Sequence, residues 1–110
     1  MPLQRTETYT TSGTKGSWNC DPSIAPFNVN VAAILTGGPV SYSLQYSYDV
    51  LDDPLLTDSD AQWLDSNDIP LGTTASGETN FSTPIARIRI VIVSITGSLK
   101  VTMLQGMSTN

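Results

Sequence analysis

Five aspartates, Asp49, Asp52, Asp53, Asp58 and Asp60, crowd one stretch of the chain, and seven of its ten acids lie between Asp49 and Asp68. Carboxylates clustered on a flexible loop are the ligand set that a hard cation such as Ca²⁺ takes. The spacing matches no EF-hand loop, which needs alternating acids, a central glycine and a closing glutamate. Two carboxylates alone could also serve as a glycoside hydrolase pair, but any chain with ten acids offers such pairs. A solvated acidic loop is the simpler reading, and no metal site is expected.

Cys20 is the single cysteine and the chain has no histidine. No internal disulfide can form, and the commonest base for activating a thiol is missing, so Cys20 reads as a structural, buried residue. Without histidine the chain also lacks the commonest general base and metal ligand. No phosphate-cradling glycine loop or nucleophile elbow is present. On these grounds no catalytic residue, no cofactor and no enzymatic activity are expected.

Other residues point to contact. Tyr42, Tyr46 and Tyr48 share one parity of an alternating run. They could stack on a sugar, although tyrosines at strand spacing more often pack in a core or across strands. Trp18 and Trp63 are candidate core or interface anchors. Arg87 and Arg89 share a face of the longest apolar run, where they are either solvated or paired with acids of this chain or of a neighbour.

Composition narrows the partners. The net charge is −5, from ten acids and five bases, too few for the clustered basic groove that nucleic acid demands. No apolar run reaches the 18 residues or so of a membrane span. The opening Met1-Pro2-Leu3-Gln4-Arg5-Thr6-Glu7 is polar and charged, unlike a signal peptide, which fits synthesis in a cytoplasm. Neither nucleic acid nor membrane is an expected partner.

The elements that would position these residues are strands. With 110 residues the chain suits one domain that needs no metal or disulfide staple. Residues 1–19 are polar and read as an extended arm or edge strand, with a Gly13–Gly16 turn and a short strand around Trp18. Residues 20–106 read as a β-sandwich domain, and 107–110 as a flexible tail. Phe27–Ala32 and Val40–Tyr48 alternate at period two, and Gly37-Gly38-Pro39 between them suggests a hairpin. Ile85–Val93 alternates first and is then apolar at every position, as in a strand buried on both faces towards its end. Thr96-Gly97 joins it to an alternating Ser98–Met103, a second expected hairpin. A long acidic excursion from Asp49 to Asp68 carries at most one short helical turn, around Ser59–Leu64, with Asp58 or Ser59 as its cap. Leu71–Gly77 is a turn region. The count of six to eight antiparallel strands gives an all-β, jelly-roll-like β-sandwich.

The runs VSYSLQYSYDVLDD (Val40–Asp53), AQWLDSNDIPL and TNFSTPIARIRIVIVSITGSLKVTMLQG carry a resemblance. A tyrosine-rich strand, a tryptophan in an acidic loop, a proline-led arginine strand and a last strand ending in Gln-Gly together resemble small virion proteins of tailed bacteriophages. The chain looks most like the head decoration (cement or staple) proteins of short-tailed double-stranded-DNA phages of the epsilon type, over roughly Val29 to Gly106. The resemblance implies a jelly-roll or sandwich on the outer surface of the capsid. It implies bridging of neighbouring major capsid protein subunits, often as homodimers across local two-fold axes, against the pressure of packaged DNA. The contact residues expected for this role are Arg5 and Tyr9 on the arm, Asp49, Asp52, Asp53 and Trp63 in the acidic loop, and Arg87 and Arg89 for either the capsid or self-pairing. The alternative is a carbohydrate- or receptor-binding accessory of a tail or fibre, with Tyr42 or Trp63 exposed in a groove.

Overall fold

The computed structural model describes residues 3–20, 27–49 and 61–105. Nine strands run in chain order: β1 Leu3–Tyr9, β2 Gly13–Thr14, β3 Trp18–Asn19, β4 Val29–Thr36, β5 Val40–Ser47, β6 Leu64–Asp65, β7 Gly77–Phe81, β8 Arg87–Ile95 and β9 Ser98–Gln105. Six are five residues or longer; the other three are two-residue pairings. All pairings are antiparallel, in two sheets ordered β1-β9-β4-β7 and β2-β8-β5-β6, with β3 also on β8. Counting β2 and β3 as one interrupted strand leaves eight, and the order is that of a jelly roll. The pairs β1·β9, β2/β3·β8, β4·β7 and β5·β6 are nested, like one long hairpin rolled until β4 also meets β9 and β5 meets β8.

The rolling corrects both expected hairpins. β4 and β5 are consecutive but lie in opposite sheets, and so do β8 and β9. Gly37-Gly38-Pro39 and Thr96-Gly97 are corners where the paired ribbon folds over, Thr36 facing Ser98 on one side and Val40 facing Ile95 on the other. Gly37 has φ of +80°, a region open chiefly to glycine. The two corners touch: Thr96 N–H donates to the Pro39 carbonyl at 2.9 Å, and a Cβ on Gly97 would overlap the Thr36 carbonyl and the Gly38 nitrogen. Period-two alternation is the same for a hairpin and for a corner between sheets, which is why the pattern alone did not separate them.

Alternation nevertheless fills the core. Val29, Val31 and Ala33 of β4, Tyr42 and Leu44 of β5, Ile88, Ile90 and Ile92 of β8, and Leu99, Val101 and Met103 of β9 are buried between the sheets. Each large aliphatic side chain buried this way contributes roughly 1.5–3 kcal/mol. The expectation that β8 is buried on both faces towards its end does not hold, because Val91 is half-buried and Val93 is 58% exposed on the outside. β1 is an edge strand, ordered along seven residues of β9 from Leu3↔Gln105 to Tyr9↔Leu99. Residues 13–14, where a turn was expected, form β2, and residue 19 is no boundary, since Asn19 pairs with Arg87 inside β3·β8. Of the expected helical turn, residues 59 and 60 lie outside the described residues, while 61–63 are irregular and Leu64–Asp65 is a strand. The tail at 107–110 also lies outside them.

Candidate interaction surface

The outer face of the β8–β5–β6 sheet gathers three of the expected contact residues, Trp63, Arg87 and Arg89. Register sets Arg89 beside Gln45, and Gln45 beside Asp65. Arg89 Nε–H donates to Gln45 Oε1 at 2.8 Å, and Gln45 Nε2 donates to Asp65 Oδ1 at 3.0 Å. This relay aims the guanidinium, whose centre lies 4.2 Å from the centre of the Trp63 ring. Cation–π contact of this kind contributes about 0.5–1 kcal/mol where solvent reaches it. Arg87, two residues earlier on the same face, donates from Nε and Nη2 to Asn19 Oδ1 at 3.2 and 2.5 Å. Beyond Arg89 the same face carries half-buried Val91 and exposed Val93. Arginine and tryptophan are among the residue types enriched at protein interfaces, and here they stand beside aliphatic side chains.

Asp49 has a different task. Its carboxylate Oδ2 accepts the Gln62 N–H at 2.7 Å and the Ser47 hydroxyl at 3.4 Å, while the Asp49 N–H donates to Ser47 Oγ at 3.0 Å. It thus ties the end of β5 to the start of the segment leading into β6, at the root of the acidic excursion. Asp52, Asp53, Asp58 and Asp60 lie outside the described residues. Among the described residues no group of three or more metal-capable side chains comes together.

Arg5 and Tyr9 sit on β1 and turn towards the facing sheet. The Arg5 guanidinium lies 4.8 Å from the Trp18 ring centre and the Lys15 ammonium 5.7 Å from that of Tyr9. Trp18 is buried, so these contacts clasp the edges of the two sheets together. Burial pushes the Tyr9 hydroxyl pKa up, against a smaller lowering by its hydrogen bond with Trp18. Cys20, against Met103 Sδ at 3.8 Å, is buried, and desolvation pushes its thiol up to about 12. A buried thiol held neutral in this way is a poor nucleophile at neutral pH.

The tyrosine face divides. Tyr42 is wholly buried, with its hydroxyl donating to the Ala75 carbonyl at 2.8 Å and its pKa raised by burial, so it cannot stack on a sugar. Trp63 is half-buried, with the Arg89 guanidinium across its ring. Tyr48, by contrast, is 55% exposed and meets Tyr46 edge-on at 5.9 Å, and Tyr46 meets Phe81 at 5.2 Å. These rings border a hollow of about 240 Å³ that also touches Asn67, Asp68 and Asn80. Asp68 accepts the Thr79 hydroxyl at 2.7 Å. A neighbouring hollow of about 540 Å³ opens on the outer face of the β1-β9-β4-β7 sheet, where Asn80 Nδ2 donates to Asn28 and Asn30 at 2.5 and 2.8 Å.

Arg87, Arg89 and Trp63 are therefore brought onto one face, whereas Asp49, Arg5 and Tyr9 are placed elsewhere. Gln45, Asp65 and Asn19 organise that face and were not singled out from sequence. The polar parity of β5 was a signal for Gln45; nothing in the sequence ties Asp65 or Asn19 to particular arginines. Compared with known proteins, no family model matches the chain and no curated protein matches it.

Proposed function

We propose that the protein decorates the head of a tailed bacteriophage. It binds the outer surface of the shell, bridges neighbouring major capsid protein subunits, in pairs across local two-fold axes, and raises the resistance of the head to the pressure of packaged DNA. It is made in the host cytoplasm and works by binding, without turnover. The observation that carries this reading is the outward Arg89–Trp63 stack with Arg87, Val91 and Val93 beside it, a preorganised patch of interface composition on a rigid sheet. Many copies acting across adjacent seams turn a modest contact into a strong collective one.

The test is sedimentation of the protein with undecorated phage heads at low and high salt. Co-sedimentation at a fixed ratio to the capsid subunit is expected. Trp63→Ala should weaken binding by about 2 kcal/mol, roughly thirtyfold, if the stack is a hot spot. Retention in the supernatant with every matching head would end the reading.

A second reading rests on the hollow beside Tyr48. Exposed and stacked tyrosines next to Asn67, Asp68 and Asn80 suit an oligosaccharide, which needs a ring to lie on and amide or carboxylate partners for its hydroxyls. Saturable glycan binding abolished by Tyr48→Ala would favour it. A blank glycan array would remove it.

A further inference from the structure

The two sheets end in four edges, and only one is built for a partner strand. β2, β3 and β6 are two residues long and β7 begins at a glycine, so these edges offer short ladders. β1 runs for seven residues without a register shift against β9, with no proline or glycine inside it. Its other side pairs with no strand among the described residues. Natural edge strands are normally blunted by proline, bulges, shortness or charged side chains, because a long flat edge templates another strand. β1 has none of the first three, and its charges, Arg5 and Glu7, are of opposite sign.

What pairs with it is written in its own charges. Two copies related by a two-fold axis perpendicular to the sheet place residue i opposite a residue of the same face, so the paired numbers sum to an even value. Centring on Thr6 sets Arg5 opposite Glu7 of the second copy and Glu7 opposite its Arg5, with Gln4 opposite Thr8. Centring on Arg5 or on Glu7 puts like charges face to face, which disfavours both neighbouring registers. Arg5 and Glu7 are exposed, and neither has a hydrogen bond or ion pair among the described residues, although the Arg5 guanidinium lies over Trp18. The same operation on β7, centred on Thr79, sets Glu78 opposite Asn80 and gains no ion pair.

We propose that a second copy of this chain adds to the β1 edge in antiparallel register about Thr6. The two four-stranded sheets join into one of eight strands, closed by two reciprocal Arg5–Glu7 pairs. This inference deepens the pairing that the capsid reading invokes, but it is argued from the β1 edge alone; self-association in solution and binding to heads are measured separately, so the failure of one is distinguishable from the failure of the other.

The experiment is sedimentation equilibrium of the full chain, whose monomer mass is 11.8 kDa. Self-association to twice that mass is expected. R5E leaves four acids at the junction and E7R four bases, and each should weaken the dimer by roughly tenfold or more. The double variant R5E/E7R restores opposite charges and the dimer. Mixing the two single variants should yield a heterodimer, because each supplies the charge the other lacks; that recovery also shows both are folded. A wild-type chain that stays monomeric up to millimolar concentration overturns the proposal. So does a dimer that neither single variant weakens, or single variants that weaken it but fail to recover on mixing.

Discussion

At the scale of single residues, burial decides what each group can do. Cys20 is 8% exposed and its thiol is pushed from an ordinary 9.0 to about 12. Folding therefore favours the protonated thiol. The unfolded chain gives up that proton once the pH passes about 9, so the stability this site supplies is intact below pH 9 and drains away as pH rises towards 12. A shift of about three units corresponds to at most on the order of 4 kcal/mol. Tyr42 and Tyr9, both raised by burial, act in the same direction above their ordinary 10.0. Urea midpoints should thus fall between neutral pH and about pH 11, and Cys20→Ala should flatten that fall. The native thiol should also resist a maleimide that labels it readily in urea. Rapid labelling of the folded chain would show that the thiol is accessible.

At the scale of elements, the corners matter more than the strands they join. Gly97 packs so closely on Thr36–Gly38 that a methyl group there would strike backbone, which cannot rotate out of the way: it would lie 2.7 Å from the Gly37 carbonyl carbon and closer still to the Thr36 oxygen and the Gly38 nitrogen. Gly97→Ala should cost on the order of 3 kcal/mol or more. Ala at Gly16, where a Cβ would meet nothing within 4 Å, should cost far less. Paired thermal melts of the two variants check this, and equal losses would place the two corners further apart. The strands themselves were legible, because β4, β8 and β9 bury every second residue over most of their length and β5 alternates apolar and polar residues, although it also buries Ser43 and Ser47. Their partners were not, since a glycine-rich break reads alike as a hairpin turn and as a step from one sheet to the other. The arginine face was half legible. Parity put Arg87 and Arg89 on one side of β8, but the ring over Arg89 comes from Trp63, on the far side of the acidic excursion, and no local pattern joins two such distant positions.

At the scale of the whole molecule, the rolled hairpin makes the first strand and the last mutual supports. β1 cannot pair until β9 has been made, and it then closes an edge that β9 and the core would otherwise present to water. A polar segment at the start of a chain invites the view that it is a free arm, ordered only on a partner. Its seven-residue ladder and the Arg5–Trp18 contact give it a structural task in the isolated chain. Deleting residues 1–12 should therefore lower the stability of the free protein by a few kcal/mol, a large part of the 5–15 kcal/mol typical of a domain. It should also bare β9 as a new edge and promote association at high concentration. Urea unfolding of the isolated truncated chain separates the two views. If stability is unchanged and only binding to a partner is lost, residues 1–12 act as an arm; if the free protein itself is weakened, β1 is part of the sandwich, and any loss of binding must be corrected for the unfolded fraction before it is assigned to contacts.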